Sequence, residues 1–77
     1  MGTERLPQVS GRRVIWALRK VDWRIDRIRG CHHVLVHPHK PGLTIVVPMH
    51  PRPLKKGALA DILEKAGLSI REFKELL

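Results

Sequence analysis

The chain has 77 residues, of which 15 are Lys or Arg and 7 are Asp or Glu, so its formal net charge is +8. This length favours one domain over residues 1–77, because a second core would bury too little apolar surface to offset the conformational entropy of its chain. Hydrophobic residues make up 43% of the chain, which excludes a disordered basic tail. No window approaches the roughly 18–20 apolar residues of a membrane span. The first residues lack the apolar segment of a signal peptide.

The first predicted element is a helix that begins after Ser10, whose hydroxyl can accept a hydrogen bond from the first turn. Its apolar stripe recurs at helical spacing and consists of Val14, Ala17, Leu18 and Val21. The opposite face carries Trp16 among the basic residues Arg12, Arg13, Arg19 and Lys20. We expect Trp16, Arg12 and Arg19 to bind a partner, since an exposed Trp buries a large rigid area on contact. The alternative is that Leu6 and Pro7 fold back and cover the indole.

Three strands are predicted next, over residues 23–29, 33–37 and 43–47. Gly30 can supply the turn after the first strand, residues 38–42 have the composition of a turn, and Pro48 ends the third strand. Because the connections are short, the strands are expected to form an antiparallel meander.

Two helices follow. The apolar positions of the second helix are Leu59, Ile62, Leu63 and Ala66, and Gly67 fits its left-handed cap. Ser69 and Glu72 form a capping box that begins a short third helix, whose buried face is expected to be Ile70, Phe73 and Leu77. The order predicts an α+β fold in which a small antiparallel sheet has helices packed on one face.

The positive charge is unevenly distributed along the chain. Residues 1–59 carry a net +9, whereas residues 60–77 carry −1. This distribution favours contact with phosphates, because each Lys or Arg at a phosphate releases condensed counterions. We therefore expect a polyanionic partner, nucleic acid first and an acidic protein second; the alternative is a solvated charged surface.

The most distinctive stretch is Arg29-Gly30-Cys31-His32-His33. Two histidines at a tight turn in a basic chain indicate acid–base catalysis on a phosphodiester, since a histidine can take the proton of a ribose 2′-hydroxyl or give one to the departing 5′-oxygen. Neighbouring cations would stabilise the charge that grows on the phosphorane oxygens, and the route requires no metal and no cofactor. The residues expected to contact RNA are Arg24, Arg27, Arg29, Gly30, Cys31, His50, Lys55 and Lys56.

Three other interpretations of this stretch stay open. In the first, His32 and His33 are the polar end of a strand. In the second, a zinc ion is bound by ligands chosen from Cys31, His32, His33, His37, His39 and His50. The spacing disfavours zinc, because adjacent strand residues point to opposite faces and residues two apart lie roughly 6.5–7 Å from each other. In the third, Cys31 is a nucleophile, which would need an activating base that sequence adjacency alone does not establish.

Cys31 is the single cysteine, so no internal disulfide can form and a reducing cytoplasm is the expected location.

Six segments of the chain together match the pattern of a known family: Leu6-Pro7-Gln8-Val9-Ser10-Gly11, residues 29–33, His37-Pro38, residues 46–50, residues 54–59 and residues 62–69. On these segments the chain resembles the HicA-type toxins, the mRNA interferase half of HicBA toxin–antitoxin pairs. The likeness extends over nearly the whole chain, and the order and spacing of the segments are together more specific than any one of them.

The resemblance implies a fold similar to the double-stranded-RNA-binding domain, cleavage of mRNA and neutralisation by a HicB-like antitoxin. It places the catalytic histidine at His32, the first after the family's Gly-Ser pair, with His33 as the adjacent candidate. Cys31 stands where the family usually has Ser, so a thiol of similar size and weaker donor strength replaces the hydroxyl. We expect a monomer when free and a hetero-oligomer with the antitoxin.

The expected function is therefore a toxin that acts as a metal-independent endoribonuclease. Domains of this architecture read A-form RNA through phosphates and 2′-hydroxyls, and only RNA supplies a 2′-hydroxyl nucleophile. The alternatives are a non-catalytic RNA-binding module of the same fold and a zinc-stabilised interaction domain. An acidic antitoxin would associate quickly with the basic chain and lose association rate in salt.

Overall fold

A computed structural model describes residues 4–77. Its elements in chain order are α1 (Gly11–Arg19), β1 (Arg24–Arg29), β2 (His32–Val36), β3 (Thr44–Pro48), α2 (Lys56–Ala66) and α3 (Ile70–Leu76). The strands form one antiparallel sheet in the order β1-β2-β3. The predicted α+β arrangement is therefore confirmed. None of the helices within the described residues has the length and apolar character needed to cross a bilayer.

The predicted strand boundaries differ from the observed ones by one residue. Trp23 precedes β1 and is buried in the core instead. β2 begins at His32, and β3 includes Pro48 rather than ending before it. The cross-strand pairs Arg29–His32 and His32–Pro48 extend the ladder at one end, whereas at the other end it stops at Val36, paired with Arg24 and Thr44, and leaves His37 and Leu43 outside the strands.

The core lies between the sheet and the three helices. Its largest fully buried side chains are Trp23, Phe73, Leu18, Leu35, Ile45, Leu59, Val14 and Val47. Of the buried face predicted for the third helix, Phe73 is buried, whereas Ile70 and Leu77, which follows the last residue of α3, are half-buried and pack against this cluster. Each fully buried large apolar side chain contributes about 1.5–3 kcal/mol to folding, so these residues dominate the stability of a chain of this size.

The predicted caps at Ser10, Gly67 and Ser69 are confirmed, whereas Val21, predicted on the apolar stripe of the first helix, lies beyond α1 and packs half-buried against the core. The Ser10 hydroxyl accepts a hydrogen bond from the Arg13 N–H at 3.3 Å. The Ser69 hydroxyl accepts from the Glu72 N–H at 3.0 Å while the Glu72 carboxylate accepts from the Ser69 N–H at 2.8 Å, which completes the capping box. These bonds to Ser69 also lower the pKa of the Glu72 carboxyl. Gly67 ends α2 in the left-handed conformation, with φ of 72°.

A β-bulge interrupts the pairing of β1 with β2. Ile25 pairs with Leu35 and Arg27 pairs with Val34, so that Asp26 has no partner across the ladder. Side chains alternate between the two faces of a regular strand, and the extra residue therefore reverses the alternation at this point.

The bulge sorts the side chains of β1 by type. Ile25 and Ile28 are three residues apart and would lie on opposite faces of a regular strand. Here both lie on the same face as their cross-strand partners, Leu35 and His33. Arg24, Arg27 and Arg29 consequently lie together on the other face. The sequence pattern of β1 shows only partial alternation because one of its six positions is the bulge.

Gly11 lies where α1 begins against the end of β3. A Cβ at this position would collide with the carbonyl oxygen of Pro48 and lie 3.1 Å from Cγ1 of Val47. Glycine is therefore required there by the close approach of the α1 backbone to β3.

We predict that Gly11→Ala lowers the free energy of unfolding by about 1–3 kcal/mol, the usual cost of overpacking, although alanine has the higher helix propensity. Gly57→Ala is the matched control, because Gly57 also lies in a helix but has no atom within 4 Å of an added Cβ; this variant is expected to gain up to about 1 kcal/mol. Urea unfolding measures both changes. Equal stability of the two variants would contradict the close contact.

Candidate nucleic-acid interface and histidine site

A two-residue turn connects β1 to β2 and positions the candidate histidines. Gly30 and Cys31 form the turn between the paired residues Arg29 and His32. Gly30 has φ of 56°, and a positive φ at the first of two turn residues is the pattern of a type II′ hairpin, which favours glycine. The Cys31 carbonyl accepts a hydrogen bond from the Met49 N–H at 2.6 Å, while its thiol is exposed. The turn is therefore held to the segment that follows β3.

The sheet has an inner face that the helices cover and an outer face that they leave free. Leu35, Ile45 and Val47 have no exposed surface and belong to the core, which defines the inner face. Residues paired directly across strands share a face, and alternate residues of one strand point to opposite faces. His32 and its partner Pro48 therefore lie on the outer face.

The outer face brings His32 together with three arginines. Arg29 pairs directly with His32, and Arg27 and Arg24 follow along β1 on the same face. All four residues are exposed. Directly opposed side chains lie about 4.5–5.5 Å apart at Cβ, so the Arg29 guanidinium can reach a phosphate held at the His32 imidazole. The carboxylate of Asp26 lies 3.9 Å from the Arg27 guanidinium, both exposed, and such a pair contributes little.

His33 lies on the other face of the sheet. Its cross-strand partners are Ile28 and Val47, and it is half-buried. Its Nδ1 is buried without a hydrogen-bond partner within residues 4–77. The structure therefore separates the two adjacent histidines, and His32 is the one that shares a surface with the predicted arginines.

A cleft of about 490 Å³ adjoins the His32 end of the outer face. Its lining residues are Pro48, His50, Pro51, Arg52, Pro53, Leu54, Lys55 and Ala58. Pro48 connects the two regions, since it also pairs with His32. The predicted RNA contacts His50 and Lys55 thus lie together, whereas Lys56 is exposed at the start of α2 and does not line this cleft. Arg52 also lines the cleft, although the sequence analysis did not predict it as a site residue. The one sequence feature that could have indicated it is its position between Pro51 and Pro53.

Trp16 lines a groove along α1 that also contains basic side chains. Its side chain is 56% exposed, and the Lys20 ammonium lies 5.0 Å from the centre of the indole ring. The groove of about 590 Å³ is lined by Arg12, Ile15, Trp16, Arg19 and Lys20. Leu6 packs against the core cluster instead, so the alternative in which Leu6 and Pro7 cover the indole is wrong.

His37 has a structural environment that the sequence did not reveal. Its Nε2 lies 2.9 Å from the Val21 carbonyl oxygen, its Nδ1 lies 3.1 Å from the His39 backbone nitrogen, and its ring meets the edge of Trp23 at 5.2 Å. Since a carbonyl only accepts and an N–H only donates, Nε2 carries the hydrogen and Nδ1 accepts. Nε2 thus joins the turn after β2 to the segment that follows α1, and Nδ1 stabilises the turn itself.

The candidate metal ligands do not converge. Within residues 4–77 no group of three or more His, Cys, Asp or Glu side chains is arranged to hold a metal ion. The zinc interpretation therefore gains no support from the geometry.

We predict that His37→Ala lowers the free energy of unfolding by about 2 kcal/mol, since it removes two hydrogen bonds worth about 1 kcal/mol each. The control is His39→Ala, because His39 is exposed and contributes its backbone N–H, which alanine retains. Urea unfolding measures the difference, and nitrogen-15 shifts of the imidazole check the Nε2–H tautomer. A loss of stability in His39→Ala as large as that in His37→Ala would contradict this role.

Comparison with known proteins adds an independent finding. The family model described as "HicA toxin of bacterial toxin-antitoxin" matches residues 11–68. The matched segment begins at the first residue of α1 and ends after α2, so it contains the turn, the outer face and the cleft. No curated protein matches the chain.

Proposed function

The chain belongs to the HicA toxin family of bacterial toxin–antitoxin systems, and from this premise we propose that it is a metal-independent endoribonuclease that cleaves mRNA and is inhibited by a HicB-like antitoxin. The observation that carries the proposal is the position of His32, which lies exposed and directly opposite Arg29 on the face that also holds Arg24 and Arg27. This arrangement supplies a proton acceptor and a set of cations on one surface.

In the proposed reaction the neutral imidazole of His32 accepts the proton of a ribose 2′-hydroxyl. The 2′-oxygen then forms a bond to the adjacent phosphorus, and the bond from phosphorus to the 5′-oxygen breaks. The 5′-oxygen takes up one proton from water, and the His32 imidazolium returns its proton to water. The products are therefore a 2′,3′-cyclic phosphate and a 5′-hydroxyl. Guanidinium groups stabilise the negative charge that grows on the phosphorane oxygens.

The surface around the turn supports binding of an RNA strand. An added Cβ at Gly30 would meet no atom within 4 Å, so the backbone there faces open space and a phosphate can approach it closely. The exposed Cys31 thiol offers a weak donor at the same turn. His50, Arg52 and Lys55 add basic side chains to the mainly apolar cleft beyond Pro48.

A toxin of this family has a cognate antitoxin as its partner. Trp16 with Arg12 and Arg19 stays a prediction for a contact with that protein. The prediction is supported by the exposed indole and by the three cations around it, which favour an acidic partner carrying an apolar side chain.

We predict that His32→Ala lowers the rate of RNA cleavage at least about 100-fold, the contribution typical of a general base, and abolishes growth arrest on expression. His39→Ala is the matched control, an exposed histidine outside the outer face, and is expected to cleave at the wild-type rate. Circular dichroism verifies that both variants are folded. If the wild-type chain binds RNA but neither it nor the control cleaves, the protein is a non-catalytic RNA-binding module.

The chemistry of the cut ends tests the mechanism separately. Products with a 2′,3′-cyclic phosphate or 3′-phosphate and a 5′-hydroxyl are expected, at an undiminished rate in EDTA. An RNA with a single 2′-deoxy substitution at the cleaved nucleotide should resist cleavage, because it lacks the nucleophile. Ends bearing a 5′-phosphate, or loss of activity in EDTA, would show that the 2′-hydroxyl route is wrong.

A further inference from the structure

β1 is an edge strand without a covering layer. It lies at one end of the strand order, and all six of its residues are exposed. Within residues 4–77 its extensive contacts are with β2, whereas α1 and α2 pack over β3 at the other side of the sheet. Its outer backbone groups are therefore available to another strand.

The inner face of β1 carries two exposed isoleucines. Ile25 is 40% exposed and Ile28 is 58% exposed, and the bulge at Asp26 places both on the same side. The other four residues of β1 are charged, and charges together with a bulge on a free edge disfavour pairing with an unselected strand. The two exposed isoleucines leave an apolar contact open to a partner whose charges match. Their presence side by side indicates a surface that another protein covers.

The arginines determine which kind of strand fits this edge. Arg24, Arg27 and Arg29 lie on the outer face, and a second copy of β1 paired with the first would bring these cations close to one another. Like charges directly opposite in a sheet are destabilising, so self-pairing is disfavoured. A strand with carboxylates on one face and apolar side chains on the other would match the two faces of β1, and only the bulged Asp26 departs from this match.

We propose that β1 is the docking edge for an extended acidic segment of the antitoxin, which adds to the sheet as a fourth strand. Alternate apolar side chains of the segment cover Ile25 and Ile28, and the intervening carboxylates bind the three arginines of the outer face. Main-chain hydrogen bonds along the edge supply affinity, as in other cases of strand addition. The identity of the partner rests on the proposed function, whereas the preference for an acidic, alternating strand rests on β1 itself.

This docking would inhibit the toxin without contact to His32. The carboxylates would occupy the guanidinium groups that hold RNA phosphates, so RNA and the segment would compete for the same cations. Because the competition is electrostatic, affinity for the segment should fall as salt increases.

The test titrates two synthetic peptides into the nitrogen-15-labelled full chain and follows its amide shifts by NMR. The two peptides have the same amino-acid composition and differ only in the order of the residues. The first alternates as Val-Glu-Val-Glu-Val-Glu, and the second has the blocked order Val-Val-Val-Glu-Glu-Glu. In the alternating peptide every carboxylate can face the arginines while every valine faces Ile25 and Ile28. Amide shifts at residues 24–29 and cross-strand contacts between peptide and β1 are expected, with affinity at least tenfold higher for the alternating peptide.

Variants of the edge check the apolar part of the contact. Ile28→Thr should weaken binding of the alternating peptide at least threefold. Val46→Thr is the matched control, since Val46 is 47% exposed on β3 and faces away from the isoleucines; its affinity should equal that of the wild type. Circular dichroism confirms that both surface variants fold.

Equal affinity for the two peptides would overturn the proposal, because it would show attraction by charge alone. Shifts confined to α1 around Trp16, or a dimer of the free chain paired through β1, would overturn it as well. Ribonuclease activity is measured separately on the same samples. A chain that lacks this activity but binds the alternating peptide at β1 would contradict the proposed function and leave the docking edge supported.

Discussion

The helices cover one face of the three-stranded sheet, and the rest of the molecule follows from this constraint. The core requires Leu35, Ile45 and Val47 to face α1 and α2, so the alternate residues of the same strands must face away. Within residues 4–77 no second layer of helices or strands covers that other face. The exposed surface opposite the helices is therefore a consequence of how the core is built, and it is where His32 lies.

The bulge at Asp26 determines the chemistry of that surface. Without it, Arg24 would lie on the face opposite Arg27 and Arg29, and the two isoleucines of β1 would be divided between the faces. With it, one face of the strand is cationic and the other is apolar. The same local irregularity thus supports both the proposed RNA surface and the proposed docking edge for an acidic strand.

Catalysis and inhibition would then depend on the same side chains in different ways. In the proposed reaction the arginines would bind a phosphate beside His32, and in the proposed complex the antitoxin would neutralise the same charges. A strand added at β1 would reach them from the edge, and the Trp16 groove on α1 would offer a separate contact on the helical side. A chain of 77 residues with an excess of eight positive charges can in this way be both active when free and strongly attracted to an acidic partner.

The sequence by itself determined the order of elements, the helix caps at Ser10, Gly67 and Ser69, and the glycine turn before His32, because hydrophobic period, capping and turn chemistry are local. It also singled out His32 through the likeness of its neighbouring residues to a known family. Only the tertiary structure decided which face each side chain occupies. The partial alternation of β1 does not by itself locate the bulge at Asp26, and the register decides that His32 rather than His33 shares a face with the arginines. The structural environment of His37 and the contribution of Arg52 to the cleft likewise depend on distant partners that local patterns do not encode.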